Sequence, residues 1–384
     1  QLRNGLSVTG LGDTGVGGGA PWGFYIATFV WYVGIAHGGI AVSAAIRLLK
    51  LDSYKPIARI AEVVTIIALM MAGLSITFDL GRPDRIFNMI ANYPKRVGFS
   101  PLIWDLSVVM TYLALSITYL VITMREDIAK LKGKLPKNLE LFYKFVMVGY
   151  TQDEKPKVEQ MAKWLAISLI ALMALLSGAV VPWLFGLMSS QAGWFGAVQG
   201  AYFLAAALTS AIAAVIIVTA FVRKVFKWDQ EIPEKIFNGL SKVLSILALV
   251  YLWFIMHEHL SAQYAGPIIE KEISSSIIFG RFSGMFFFVI GSLAMAAAYL
   301  GLQGMGSVKF NLKATVTMAS LVVLALWVKR VLIVVPSLLY HRLPYGVGNY
   351  VPTWVEWSLF AGTIAIAGIL FMLYTKVYPL MEVE

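Results

Sequence analysis

Ala201-Tyr-Phe-Leu-Ala-Ala-Ala-Leu-Thr-Ser-Ala-Ile-Ala-Ala-Val-Ile-Ile-Val-Thr-Ala-Phe-Val222 runs for 22 residues without a charge before Arg223 ends it. A helix of that length rises about 33 Å, enough to cross the hydrocarbon layer of a bilayer. It belongs to an apolar run over 193–222, and eight more runs bounded by charge, Gly or Pro fall at 21–49, 57–79, 101–124, 161–187, 237–260, 278–302, 314–336 and 354–377. Backbone facing lipid finds no water for its N–H and C=O groups, and the alternating pattern of a β-barrel is absent, so each run is expected to be helical. The expected fold is all-α, a polytopic membrane protein of about nine transmembrane helices.

Composition agrees. Of 384 residues, 59% are hydrophobic and 14% charged, with a mean hydropathy of +0.76. One soluble core at this length cannot hide that much apolar surface. The absence of cysteine excludes disulfides, thiolate metal sites and iron–sulfur ligation by this chain. A formal charge of +10 invites nucleic acid, but the basic residues lie between apolar runs, where they orient helices against headgroups. Gln1 to Ala20 reads as a polar, Gly-rich N-terminal segment and not as a signal peptide. Gly15 to Gly19 lacks the strand-turn-helix setting of a phosphate loop and is expected to be a flexible lead into the membrane.

Lys and Arg accumulate in alternate connections: Arg47 to Arg59, Arg125 to Lys163, Arg223 to Lys242, Lys309 with Lys313, and Lys376. Under the positive-inside rule these are cytoplasmic, which places the N-terminus outside and the C-terminus inside a cytoplasmic membrane. An internal repeat is visible when the first span is laid on the fifth. Trp22-Gly23 matches Trp194-Phe-Gly196, and fifteen residues after each Trp come His37-Gly-Gly-Ile-Ala41 and Thr209-Ser-Ala-Ile-Ala213. The expected organisation is the N-terminal segment over 1–20, a four-helix bundle over 21–190, a parallel second bundle over 191–340 and an extra helix over 341–384. Shared membrane composition is the competing explanation of that match.

A charged side chain at bilayer depth costs several kcal/mol, so each survivor calls for a partner or a task. His37 falls near the middle of the first span, followed by Gly38 and Gly39, whose missing side chains let a helix or a flat ligand approach. Its imidazole titrates near neutrality and suits a quinol hydroxyl proton; a packing histidine is the plain alternative. Asp79 and Arg82 end the second span and Asp105 begins the third, on the outer side, where they either staple helix ends or handle ligand and protons. Glu62 lies deeper, one turn from Arg59, as a proton-path carboxylate or as half of an Arg59–Glu62 pair. In the second half stand His257-Glu-His259, Lys329-Arg330 and Glu356. His-x-His spacing turns the two rings to different faces, a poor metal clamp, and four histidines are too few for a multi-haem cytochrome b.

Several stretches in succession resemble the NrfD/PsrC-like family, the membrane subunits related to polysulfide reductase, and most closely its alternative complex III branch. They are Trp22-Gly-Phe-Tyr-Ile-Ala-Thr-Phe-Val-Trp31, Ile35-Ala-His-Gly-Gly-Ile40, Arg59-Ile-Ala-Glu-Val-Val-Thr65, Leu80-Gly-Arg-Pro83, Ser100-Pro-Leu-Ile-Trp-Asp105, Tyr202-Phe-Leu-Ala-Ala-Ala-Leu-Thr-Ser210, Arg330-Val-Leu-Ile-Val-Val-Pro336 and Tyr350-Val-Pro-Thr-Trp-Val-Glu-Trp357. The resemblance implies a subunit that binds quinone or quinol near the outer face and docks a peripheral iron–sulfur subunit there, with a molybdopterin or other redox subunit beyond. Carried over by motif, the quinone and proton ligands are His37, Glu62 or Asp79, and Asp105, with Gly38, Arg82 and Trp104 lining the pocket. Ile40 departs from that branch, where a Thr is more usual, and leaves room for a sulfur-compound or other respiratory complex.

The expected function is therefore a quinone-reactive subunit of a multi-subunit oxidoreductase, not an enzyme alone, that exchanges electrons with the iron–sulfur partner and couples this to proton movement. A secondary transporter with a midplane site, and a purely structural anchor, are the rivals. The transporter requires broken helices at matching points of an inverted repeat, whereas the repeat here is parallel.

Overall fold

The computed structural model describes residues 1, 3–11, 22–81, 83–96, 98, 101–131, 139–151, 155–188, 191–194, 196, 198–340 and 347–381. Gly15 to Gly19, Arg82 and His341 lie outside the described residues. Among the described residues nine helices are long and apolar enough to cross a membrane, and there is no strand. They are α1 (Phe24–Leu48), α2 (Lys55–Asp79), α3 (Pro101–Lys130), α4 (Lys155–Gly186), α5 (Gln199–Phe226), α6 (Glu234–Ala265), α7 (Ser283–Gly304), α8 (Leu312–Leu339) and α9 (Trp354–Val377). The chain is an all-α, multi-pass membrane protein. The face from which α1 starts is called the N-side below and the opposite one the C-side.

Helices α1 to α4 close one ring, each packing on its neighbour and α4 returning to α1, and α5 to α8 close a second. The rings meet where α1 packs on α5 and α8 and where α4 touches α5; α9 lies outside, against α2 and α1. Burial follows this arrangement: 89% of the most apolar window of α1 is buried, against 11% for α9. Helix α1 is thus the shared wall, and its glycines explain how it can be. A Cβ on Gly38 would lie 1.6 Å from the Cβ of Ala211 in α5, and one on Gly39 would lie 2.0 Å from the carbonyl oxygen of Ala61 in α2. Lipid offers no hydrophobic drive for helix association, so backbones that touch through small residues supply the packing. Across the same contact the Thr65 hydroxyl donates to the Ala36 carbonyl at 2.8 Å.

Three helices depart from the apolar runs for identifiable reasons. Helix α3 continues through the charged Arg125–Lys130 because Asp127, 4% exposed, is held in the fold by Arg59 of α2 at 2.5 Å. Helix α8 passes through Pro336 to Leu339. Around that proline, side chains from the α4–α5 connection and from α8 itself tie the two together: Trp194 Nε1 donates to the Ile333 carbonyl at 2.9 Å, and Ser337 donates to the Ala192 carbonyl. Helix α4 contains a π-helical turn at Leu176–Val180 just before Pro182. Pro182 has no N–H for the carbonyl four residues back, that of Gly178, and the ladder rearranges there. Gly200 of α5 sits against that carbonyl, where a Cβ would come within 2.2 Å of the oxygen.

On the N-side the chain is tied together by Glu356. Its carboxylate accepts from the Tyr350 hydroxyl at 2.5 Å, the Gly10 amide at 2.7 Å and the Thr353 amide at 2.9 Å. The Tyr350 hydroxyl in turn accepts the Phe24 amide at 2.9 Å and so caps α1, whose N-cap Gly23 has no side chain to do it. Burial, with the Glu356 carboxylate beside it, pushes the Tyr350 hydroxyl far above the usual phenol range. Glu356 is therefore a staple between the first and last spans.

Candidate functional site

The first bundle holds a line of buried polar side chains along one face of α3. Asp105, Tyr112 and Tyr119 are each 0% exposed and Ser116 is 1% exposed. Steps of seven, four and three residues keep them on one helix face. Together with Asp127 they run the length of the span, from the N-side to the C-side. Asp105 to Tyr112 is about 10 Å along the axis at 1.5 Å per residue.

His37 meets this line at Tyr112, the two rings stacking with centroids 5.5 Å apart at 22°. Its Nδ1 lies against the Val33 carbonyl of its own helix and 3.2 Å from the Ser177 hydroxyl. A carbonyl can only accept, so this network assigns the proton to Nδ1 and leaves Nε2 with its lone pair. Ser177 comes from the π-helical turn of α4, so the local irregularity caused by Pro182 sets a partner of His37. Among the described residues, His37 Nε2, the Tyr112 hydroxyl and both Asp105 carboxylate oxygens are buried with no hydrogen-bond partner. The Ser116 hydroxyl on the same face of α3 is unpartnered too. Buried polar atoms are nearly always satisfied, so such a group of side chains marks a place where something else completes them.

Asp79 closes α2 on the same side, and its Oδ1 is likewise buried without a partner among the described residues. Trp104, partly buried, packs edge-on to Trp183 of α4 at 6.5 Å. The expected pairing of Arg82 with Asp79 or Asp105 falls outside the described residues. Gly38 does not offer its open side to a ligand, because Ala211 occupies it.

Toward the C-side the alternatives at Glu62 resolve differently from the expected pair. Arg59 binds Asp127 at 2.5 Å and donates to the Thr123 carbonyl at 3.2 Å, so Arg59 is committed to α3. Glu62 accepts from Ser43 of α1, whose hydroxyl is 3.4 Å from that of Tyr119; Arg47 Nε donates to Tyr119 at 2.9 Å. Ser43, Arg47, Thr123 and Asp127 also line a cavity of about 780 Å³ on the C-side, rimmed by Lys130 and Lys155. The Glu62 cluster thus borders a space reached from the basic face.

In the second bundle the Glu258 carboxylate pairs at 2.8 Å with Lys329, which is 0% exposed and lies 5.7 Å from the Tyr202 ring centre. The two rings of His257-Glu-His259 diverge: His257 stacks on Trp253, and His259 turns inward to Ser274 at 3.0 Å. Arg330 lies over the Phe203 ring at 4.5 Å, where the two bundles meet.

The profile of the family described as Polysulphide reductase, NrfD matches residues 13–341, more than four fifths of the chain. The chain belongs to the NrfD family. This NrfD-family chain is 29% identical, over 73% of its own length and 60% of the other's, to a putative dimethyl sulfoxide reductase membrane subunit of Halobacterium salinarum. It therefore spans less than two thirds of that relative. It is 24% identical to a selenate reductase subunit of Mesobacillus selenatarsenatis, covering 94% of this chain and 87% of that one. It is 21% identical to the Hdr-like menaquinol oxidoreductase integral membrane subunit of Archaeoglobus fulgidus, covering 97% and 88%.

Sequence reasoning chose His37, Glu62, Asp79 and Asp105 and missed Tyr112, Ser177, Tyr119 and Asp127. The seven-residue spacing of Asp105, Tyr112 and Tyr119 was available as a signal. Nothing local to Ser177 points at His37, because their approach depends on the π-helical turn.

Proposed function

We propose that this chain is the quinone-reactive membrane subunit of a respiratory oxidoreductase complex, with the quinone head held in the N-side half of the first bundle. The carrying observation is the set of unpartnered buried atoms on His37, Tyr112 and Asp105. They fit a flat ring with a polar oxygen at each end: a lone pair and a hydroxyl at one depth, a carboxylate two helical turns nearer the face. The Archaeoglobus relative's description as a menaquinol oxidoreductase subunit supports the same class. A bound quinone supplies the two-electron, two-proton chemistry. His37 Nε2 takes a hydroxyl proton or returns one, Tyr112 orients the ring, and Asp105 with Asp79 holds or passes a proton at the N-side. Isolation of the complex with its native partners, followed by extraction of bound carriers, should yield quinone in proportion to this subunit. A fully assembled, active complex without any would contradict the reading.

Proton exchange with the C-side follows the α3 line through Ser116 and Tyr119 to the Ser43–Glu62 contact and the basic cavity. The gap between Tyr112 and Tyr119 is about 10 Å along the axis and needs bridging water. Glu62→Gln should slow quinone-linked turnover several-fold while quinone affinity is retained, because the amide keeps the Ser43 contact but holds no transferable proton. Normal turnover with normal proton uptake in that variant would leave Glu62 a packing group.

The redox partner, an iron–sulfur subunit, docks on the N-side over the connection between α2 and α3. The described residues of that connection include two short helices, Ile86–Ala91 and Tyr93–Arg96, with Phe87 73% and Ile90 61% exposed and Lys95 also exposed. Basic residues are disfavoured on the translocated side, so a connection whose sequence carries Arg85, Lys95 and Arg96 suits a partner of complementary charge. Arg85→Glu with Arg96→Glu should release the peripheral subunit at moderate salt while this chain stays inserted. Retention of the intact complex, or crosslinks from this connection only to lipid, would remove the docking assignment and the N-out topology with it.

A further inference from the structure

The second bundle contains a cavity that the proposed first-bundle site does not use. It has a volume of about 510 Å³ and lies between the ends of α6, α5 and α8 on the N-side, with the helix Ile268–Ile278 forming another wall. Its walls are largely apolar and aromatic, including Trp194, Tyr202, Phe203 and Phe254. A volume of that order suits a small organic ligand.

Two polar atoms in its lining are unsatisfied among the described residues. His259, 6% exposed, has Nδ1 engaged with the Ser274 hydroxyl at 3.0 Å, and its Nε2 has no partner. Glu270 likewise has a buried Oε1 without a partner. A carboxylate oxygen is an acceptor, whereas His259 Nε2 accepts when Nδ1–H is given to Ser274 and donates when the Ser274 hydroxyl is given to Nδ1. Glu270 therefore requires a donor, and a ligand bearing hydroxyl groups, each both donor and acceptor, complements His259 in either tautomer. Its charge is also constrained: Glu258 and Glu270 are the acidic groups in the lining, and Lys329, bound to Glu258 at 2.8 Å, offsets one of them. No Lys or Arg is among the described residues of the lining, and Arg330 lies over the Phe203 ring and outside the lining, so a phosphate headgroup would meet the Glu270 carboxylate without a cation in contact and an anionic lipid is disfavoured. The rim at Ala265, Gly266 and Pro267 adjoins Tyr264 and Ile268, which are 91% and 75% exposed, an apolar approach suited to a molecule arriving from lipid.

We infer that the second bundle holds a second binding site, for the hydroquinone form of a lipid-soluble quinone, with Glu270 accepting a hydrogen bond from one hydroxyl and His259 Nε2 hydrogen-bonded to the other. Taking the ligand to be of the quinone class rests on the reading above; the neutral, donor-bearing ring rests on the cavity alone. The site binds the carrier without any electron transfer being required of it.

The test is equilibrium binding of a naphthohydroquinone bearing a short prenyl tail to the intact complex in nanodiscs under reducing conditions, with the adducts of a photoreactive version mapped. About two molecules should bind per chain, with one set of adducts on residues 254–277. His259→Leu should weaken that site at least tenfold, and so should Ala262→Trp, which fills the cavity from its rim and leaves His259 in place. Both should leave first-bundle adducts unchanged, and His37→Phe should do the reverse, so the two sites fail separately. A single binding event insensitive to both second-bundle variants, tighter binding of the oxidised probe at this site, or a phospholipid that the probe does not displace would overturn the inference.

Discussion

Replacing His37 with phenylalanine should leave the subunit inserted and assembled while quinone-linked turnover falls tenfold or more, the scale of a lost acid–base group. Assembly survives because the substitution removes chemistry and little packing. The phenyl ring keeps the stack on Tyr112, now 5.5 Å between centroids. The Val33 carbonyl retains its ordinary partner, the backbone N–H four residues on. Ser177 loses one contact at 3.2 Å and can turn its hydroxyl to a carbonyl of its own helix. What disappears is the Nε2 lone pair, the one ring atom that nothing in the described protein uses. Equal turnover in assembled wild-type and variant complexes would reduce His37 to a packing residue.

The second large effect is expected one residue later and is of another kind. Gly38→Ala should impair folding and assembly, because its Cβ would lie 1.6 Å from the Cβ and 2.6 Å from the Cα of Ala211. Helices α1 and α5 must then separate where the two bundles join, a loss of about 1–3 kcal/mol or more by the usual cost of overpacking. Adding Ala211→Gly relieves the nearer conflict but not the contact with the α5 backbone, so rescue should be partial. Gly73→Ala in α2 is the control, since nothing lies within 4 Å of the Cβ it would gain. Thermal unfolding of the purified protein would rank wild type and Gly73→Ala together, then the double variant, then Gly38→Ala. A Gly38→Ala protein as stable as wild type would mean that the bundles are not in contact there.

The spans and the all-α class were legible because twenty-residue apolar runs have one solution in lipid, and the family was legible in the order of its motifs. The individual charges were legible as anomalies, but their partners were not. Arg59 looked one turn along its own helix toward Glu62, yet its partner is Asp127, 68 residues away on α3. Periodicity within a span gives the face a residue occupies and says nothing of which helix meets that face. The same limit applied at Gly38, where a missing side chain fitted either a ligand or a helix, and the packing of α5 decided for the helix. Ser177 depended on a π-helical turn, a change of register that a fixed period of 3.6 cannot anticipate.

The most direct test of the central claim is photolabelling of the intact complex with a quinone analogue carrying the reactive group on its ring, read out by peptide mapping. The account predicts adducts on α3 between Trp104 and Ser116 and on α1 around His37, competed by excess unlabelled quinol and lost in His37→Phe. Adducts confined to lipid-facing α9, or first-bundle adducts that persist undiminished in His37→Phe under competition, would contradict it.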